Sequence, residues 1–205
     1  DATEGEVLVD GVNVKDYTLR ALHDKIGYVP QRAVMFSGTV ESNVTYGEKA
    51  GMEYSEEGVK EAVRIAQGQE FVEEKEDGYK AHVAQGGTNF SGGQKQRLAI
   101  ARAVYRRPEI YIFDDSFSAL DYKTDKQLRT ALREETGCAT SLIVAQRIGT
   151  IRDADLIVVL DEGKVVGKGA HDELMQSCGG YREIAYSQLS EEELAGMHGE
   201  VTVNE

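Results

Sequence analysis

Asn89-Phe90-Ser91-Gly92-Gly93-Gln94-Lys95-Gln96-Arg97 opens a segment that runs through Pro108 into Ile110-Tyr111-Ile112-Phe113-Asp114-Asp115. Ser91 followed three residues later by Gln94 fits the capping box that starts a helix. The pattern continues as a helix over 94–107 and ends before Pro108, which disfavours helical geometry in the residue ahead of it. Gly92 and Gly93 remove side chains from the first turn. What remains is a helix start with bare N–H groups and the positive end of the helix dipole, a place suited to phosphate. Read alone, the same residues also make a plain capped helix behind a flexible glycine pair. Beyond Pro108, residues 110–113 form a strand without polar alternation, the pattern of a strand buried on both faces.

Similar apolar runs occur on either side. Residues 25–29 read as a short strand stopped by Pro30, and residues 141–145 as another. A third, 156–160, is turned by Asp161-Glu162-Gly163 into 164–166. Between the strands, Val59, Val63, Ile65 and Ala66 give helical spacing to 54–72, and residues 124–135 form a helix closed by Gly137. Residues 84–89 are a glycine-containing loop, and Asp10-Gly11 joins 6–9 to 12–14 as a small hairpin. Apolar strands separated by helices imply an α/β fold with a mostly parallel sheet covered on both faces. From about Ser187 the chain becomes a polar tail, where Ser190-Glu191-Glu192-Glu193 fits the start of a short helix in an otherwise mobile stretch.

In open parallel sheets, ligands bind beyond the carboxyl ends of the strands. Three strands here end in polar residues: the first in Pro30-Gln31, the next in Asp114-Asp115, the last in Gln146. If the strands are neighbours, Gln31, Asp114, Asp115 and Gln146 converge on one crevice. Singly, a glutamine after a strand is an ordinary solvated loop residue. Two adjacent carboxylates after a buried strand repel each other and make better sense as metal ligands.

Composition narrows the function classes. With 23 Lys and Arg against 36 Asp and Glu, the net charge is −13, which disfavours nucleic acid as a partner. A nucleotide must then be held by local devices: backbone N–H groups, helix ends and a metal ion. Cys138 and Cys178 stand alone without metal spacing and read as reduced thiols, and the four histidines do not cluster. No apolar run approaches the roughly 20 residues that span a bilayer, so any spanning part is expected outside this sequence. The start at Asp1-Ala2-Thr3 reads as the middle of a longer chain.

Taken together, these motifs resemble the nucleotide-binding domain of ABC transporters. Ser91-Gly92-Gly93-Gln94 with Lys95-Gln96-Arg97 and Ala99-Ile100-Ala101-Arg102-Ala103 is similar to the signature motif and its helix. Ile110 to Asp115 resembles Walker B, Ser118-Ala119-Leu120-Asp121 the D-loop, and Ile26-Gly27-Tyr28-Val29-Pro30-Gln31 the Q-loop strand. Val144-Ala145-Gln146-Arg147-Ile148-Gly149-Thr150 aligns with the H-loop. All five stand in family order, and the likeness runs from about Glu4 to Tyr186. Phe36-Ser37-Gly38-Thr39-Val40-Glu41-Ser42-Asn43-Val44 is similar to the matching segment of exporter-type domains. The resemblance implies a P-loop NTPase of the ABC-ATPase fold. It divides the chain into core and part of an antiparallel β subdomain ending in the Q-loop (1–31), a helical subdomain ending in the signature helix (32–107), core with Walker B, D-loop and H-loop (108–186), and the tail (187–205).

Four departures refine the resemblance. No GxxxxGK[ST] phosphate loop occurs: Gly163-Lys164 and Gly167-Lys168 are the only Gly-Lys pairs, and neither is followed by Ser or Thr. In the family that motif, and the aromatic residue that stacks on adenine, precede a segment that begins like this chain, so the fragment alone is expected to bind ATP poorly and to be nearly inactive. Asp115 stands where active members carry a glutamate base; its carboxylate is about 1 Å shorter in reach, a misplacement worth about 100-fold in rate. Gln146 stands where the family has a switch histidine, and an amide can donate to a phosphate but cannot take up a proton. Gln85 in Val83-Ala84-Gln85-Gly86-Gly87 lies where exporters often carry an acidic residue facing the membrane domain.

The signature itself is nearly intact, with Phe90 for the usual Leu. ABC domains meet head to tail and sandwich two ATP molecules, each signature facing the partner's nucleotide. An intact signature beside an altered Walker B therefore implies a heterodimeric exporter, with this chain completing the partner's site. On that reading ATP and Mg²⁺ are the cofactors. Asp114 and Gln31 hold the metal, Gln31 also reporting to the membrane domain. Asp115 stands in weakly as base, Gln146 meets the γ-phosphate, Ser91, Gly92, Gly93 and Gln94 serve the partner's ATP, and Asp121 links the two sites. The work is export of a multidrug or lipid-like substrate from the cytoplasmic face of a membrane. Alternatives are an ABC-type ATPase outside transport, such as a translation or DNA-repair factor, and a regulatory domain without turnover.

Overall fold

A computed structural model describes residues 2–47, 49 and 51–188. The chain divides into two compact units, Asp1–Val144 and Ala145–Glu205, which are described separately.

The first unit is organised by a parallel sheet of β3 (Ile26–Val29), β6 (Ile110–Asp114) and β7 (Thr140–Val144), in the order β3-β6-β7. Ile26 pairs with Ile110 and Val29 with Phe113, while Asp114 pairs with Val144, so the strands end level with one another. Parallel neighbours need long crossovers. The first carries β4 (Gly38–Thr39), the helices α2 (Val40–Val44), α3 (Glu56–Ile65) and α4 (Gln69–Glu73), β5 (His82–Val83) and α5 (Gly92–Tyr105); the second carries α6 (Tyr122–Glu135). Gly27 makes one close approach possible: a Cβ there would lie 2.7 Å from Cγ of Pro108. Ahead of the sheet, β1 (Leu8–Val9) and β2 (Val12–Asn13) form the small hairpin the sequence indicates, turned by Asp10 at φ 52 and Gly11 at φ 77, followed by α1 (Leu19–Lys25).

The unit's core gathers Val29, Tyr111 and Phe113 from one face of the sheet with Leu98, Ile100 and Ala101 of α5 and Leu128 of α6. The opposite face departs from expectation. Continuous apolar strands imply cover on both sides, yet Tyr28, Leu142 and Val144 are half exposed. Among the described residues, only one face is buried.

Two further readings are corrected. The apolar spacing over 54–72 is not one helix. It breaks at Gln67, which adopts φ 56, while the Gly68 and Gln67 N–H groups bond back to the carbonyls of Val63 (2.8 Å) and Arg64 (2.9 Å). That is a Schellman ending, and it turns the chain so that Val63 of α3 and Phe71 of α4 both reach the core. Among the described residues, the apolar run at 156–160 forms β8 (Ile157–Asp161), which pairs antiparallel with β9 (Lys164–Gly169) in a hairpin turned by Glu162 and Gly163, rather than as a parallel strand.

That hairpin belongs to the second unit, with α7 (Ile148–Ile151), α8 (His171–Ser177) and α9 (Gly179–Gln188). Its core is Ile148, Ile157, Leu174, Cys178, Tyr181 and Ala185. The polar tail beyond Gln188, with the helix start at Ser190, lies outside the described residues. Among the described residues, no helix is long and apolar enough to cross a membrane.

Candidate functional site: the strand ends and the helix start

The level ending of β3 and β6 sets Gln31 beside the paired aspartates. The Gln31 amide nitrogen donates to Asp115 Oδ2 at 3.0 Å, and the Tyr28 hydroxyl donates to Asp114 Oδ2 at 3.0 Å. These bonds span 84 and 86 residues of chain, so the sheet alone creates them. The hydrogen bond to Asp114 pushes the Tyr28 hydroxyl pKa up, because ionisation would lose the donated proton; burial and the carboxylate's charge add to this. Asp115 adopts φ 45, a left-handed conformation that a non-glycine residue holds at a cost of about 1–3 kcal/mol. Two bonds support the bend: the Asp115 N–H to the Val144 carbonyl at 2.9 Å, and the fully buried Ser116 hydroxyl to the Val29 carbonyl at 2.8 Å.

This donor set fits a magnesium–nucleotide complex better than a bare metal. Among the described residues no group of three or more His, Cys, Asp or Glu is placed to hold an ion. Two carboxylates and an amide oxygen suit Mg²⁺, which commonly takes one or two protein carboxylates and completes its shell with waters and phosphate oxygens. Gln31 spends its nitrogen on Asp115, which leaves the amide oxygen as the atom able to face a cation. A groove of about 1400 Å³ lies at the other end of the strands, where Ile110 and Thr140 begin β6 and β7.

The start of α5 is built as its sequence indicates. Ser91 Oγ accepts from the Gln94 N–H at 3.2 Å and Gln94 Oε1 accepts from the Ser91 N–H at 2.9 Å, closing the capping box. The N–H groups of Gly92 and Gly93, in the first turn, have no partner within the helix. A Cβ on Gly92 would meet open space, so that side is accessible. On Gly93 it would sit 3.3 Å from the Ala119 carbonyl, so the helix start lies against the segment between Asp115 and Asp121. Gln96, buried one turn on, donates to the Pro30 carbonyl at 3.0 Å and ties α5 to the Gln31 loop.

The surroundings of Phe90, where the resemblance leads one to expect a leucine, accommodate the ring. It is 6% exposed, meets Phe71 edge-on with centroids 6.3 Å apart, and has the Lys75 ammonium 4.3 Å from its centre. Arg97 stacks over Phe71 at 4.6 Å while donating to the Gln67 carbonyl at 2.7 Å. The loop ahead of it, holding Gln85, turns at Gly86 and Gly87 (φ 68 and 64) and is closed by the Asn89 amide, which accepts from the Ala84 N–H at 3.0 Å and donates to the His82 carbonyl at 2.7 Å.

Asp121 is the N-cap of α6: Oδ1 accepts from the Thr124 N–H at 3.0 Å and Oδ2 from the Thr124 hydroxyl at 2.7 Å. Those bonds stabilise the carboxylate and lower its pKa. Gln146 belongs to the second unit, two residues beyond the end of β7, where its carbonyl accepts from the Gln188 side chain at 2.7 Å. Tyr28, Gln96, Ser116 and Gln188 carry no local motif; their roles come from partners far along the chain.

Comparison with known proteins follows this geometry. Residues 1–118 match the family model described as ABC transporter. An uncharacterized ABC transporter ATP-binding protein of Mycobacterium tuberculosis is 50% identical over 188 residues, covering 92% of this chain and 32% of the relative. An ATP-dependent lipid A-core flippase of Vibrio vulnificus is 38% identical, covering 93% and 32%, and multidrug resistance protein 1 of Entamoeba histolytica is 39% identical, covering 92% and 14%. A bacterial Atm1-family ABC exporter with ATP bound has a similar structure, with a TM-score of 0.87 at 35% identity over 93% of this chain and 33% of that one. The chain thus spans about a third of the length of the first relatives it matches.

Proposed function

The chain belongs to the ABC transporter family, and from that premise we propose that it is the ATP-binding part of an exporter half whose own site turns over slowly and whose signature completes the site of a second, different half. One contrast carries the reading. The start of α5 has an unbroken capping box and two bare glycines, whereas the sequence carries Asp115 after the apolar run of β6 and Gln146 two residues after β7, where the family has a glutamate and a histidine.

Each residue has a role in this reading. The Gly92 and Gly93 N–H groups, held in direction by Ser91 and Gln94, receive the terminal phosphate of the partner's ATP at the positive end of α5. Asp114 and the Gln31 oxygen hold Mg²⁺ at this chain's own site. A Mg²⁺ ion held there would supply positive charge to offset the negative charge that builds during phosphoryl transfer. Asp115 orients water from a shortened reach, with Gln31 bonded to the same carboxylate. Gln146 donates to the γ-phosphate without the capacity to charge. Asp121, by capping α6, sets the stretch 118–120 that faces the second half. A lysine-bearing phosphate loop, which these 205 residues lack, is required to complete the chain's own site, so tight ATP binding is proposed for the full protein only.

The helical part, residues 32–107, is proposed to carry the contact with a transmembrane domain, placing the chain at the cytoplasmic face of a membrane. Sandwiched ATP closes the pair and its hydrolysis reopens it, a shift between two populations. A lipid-like or multidrug substrate is proposed from the names of the flippase and multidrug relatives. The test is ATP turnover by the full-length chain alone and with its second half. Slow turnover alone and fast turnover together is the expected result; brisk hydrolysis by the chain as a homodimer refutes the slow-site reading.

A further inference from the structure

The last described helix closes onto the loop that follows β7. Gln188, at the end of α9, donates from Nε2 to the Gln146 carbonyl at 2.7 Å, and its Oε1 accepts from the Ile148 N–H at 2.9 Å. One primary amide thus takes both backbone groups that flank Arg147, as a neighbouring strand would. A glutamine suits this because it carries a donor and an acceptor side by side.

The surroundings give the clamp its stiffness. Ile148 starts α7, a helix of four residues whose N-cap, Arg147, makes no side-chain cap bond. The Ile148 N–H is therefore one of the donors a helix start leaves without an internal partner, and Gln188 supplies the acceptor from 40 residues away. α9 itself is anchored: Tyr181 and Ala185 are buried with Ile148, Ile157 and Leu174, and the Tyr181 hydroxyl is 2.8 Å from Nδ1 of His171. Tyr181, Ala185 and Gln188 follow the spacing of one helix face, so the side that packs into the core also presents the amide. Ile148 is then held twice, by its side chain in that core and by its N–H on Gln188.

We propose that Gln188 is a positioning residue for Gln146: by fixing the backbone on both sides of Arg147 it sets the direction in which the Gln146 amide meets the nucleotide's terminal phosphate. This rests on the role given to Gln146 above. It follows that the nucleotide contact of this chain's own site depends on the last turn of α9, and that α9 and the loop after β7 move as one piece.

The experiment uses the full-length transporter with its second half and two readouts. One is backbone amide exchange of residues 145–150 by mass spectrometry; the other is 8-azido-ATP photolabelling with Mg²⁺, read on this chain alone. Gln188→Met keeps the length and removes both bonds. It is expected to speed exchange and weaken half-saturation of labelling, each by about 5-fold, the worth of roughly one hydrogen bond. The labelling effect is expected to vanish in a Gln146→Ala background, while Ser187→Ala changes neither readout. Should Gln188→Met express poorly, Gln188→Glu, which keeps the acceptor only, is expected to show the same changes at smaller size. Unchanged exchange overturns the proposal, as does unchanged labelling. So does an equal loss in the Gln146→Ala background, since Gln188 would then act on the fold rather than through Gln146. A wild-type chain that takes no label refutes the nucleotide reading itself, and this proposal with it; normal wild-type labelling with unaltered exchange refutes this proposal alone.

Discussion

The start of α5 and the end of β6, the two regions proposed to meet phosphate, are held in different ways. At α5 the chemistry is local. Ser91 and Gln94 close on each other across three residues, and the groups offered to a ligand are backbone N–H groups whose direction the helix dictates. At β6 the chemistry is borrowed. Tyr28 reaches Asp114, Gln31 reaches Asp115, and Ser116 props the bend from the Val29 carbonyl, all across more than 80 residues. A helix start tolerates change around it as long as its cap survives, whereas a strand-end carboxylate depends on several distant partners at once. The first region, apart from Phe90, keeps the residues the resemblance expects, while Asp115 in the second departs from it, the contrast on which the proposed service to a partner's site rests.

The comparison can be broken or sharpened by substitution. The largest effect is expected from Gly93→Asp, which sets a Cβ 3.3 Å from the Ala119 carbonyl and a negative charge at the proposed phosphate position. Turnover by the pair should fall about 1,000-fold, the scale of losing preorganised stabilisation of developing charge. Turnover within tenfold of wild type would remove α5 from the partner's site. Next is Phe90→Ala, which empties the space between Phe71 and Lys75 and should cost about 3 kcal/mol in denaturant unfolding of the full-length chain. Phe90→Leu, restoring the family's usual residue, should cost under about 1.5 kcal/mol.

Asp115→Glu tests the other region. With the carboxylate extended by about 1 Å, single-turnover hydrolysis on this chain should rise by up to about 100-fold. No rise, alone or with Gln146→His, would show that reach is not what slows this site. The smallest effect is a control outside both regions. Burial lowers the pKa of His171, the nearby Arg152 adds to this, and Asp172 and Asp153 oppose it. The sign follows: the unfolded chain binds the proton more readily, so stability present above the ordinary histidine pKa is lost as pH falls through it toward the lowered one. Thermal unfolding at several pH values should show a decline on the acid side that is smaller in His171→Gln.

Much of this was legible beforehand, and the illegible parts share one cause. The cap at Ser91, the Asp10-Gly11 turn, the strands before Pro30 and Asp114, and the helix that stops at Pro108 depend on neighbours within about four residues, so the sequence displays them directly. The spacing at 54–72 misled because it records which side chains face the core and not whether the backbone stays helical; Gln67 breaks the helix without moving Val63 or Phe71 out of the apolar cluster. In the same way, the apolar run at 156–160 signals a strand but not its neighbour.

By itself the sequence determined the α/β class, the order of the motifs, and the chemical identity of the groups proposed to meet phosphate and metal. Only the tertiary structure decided that Tyr28 bonds Asp114, that Gln31 occupies Asp115, that Phe71 and Lys75 receive Phe90, and that Gln188 clamps the backbone around Arg147. A pattern along the chain encodes bonds between near neighbours, because their geometry follows from a few dihedral angles. Contacts between residues 15 or more positions apart exist only once strands are in register and helices are packed, and no local pattern carries that information.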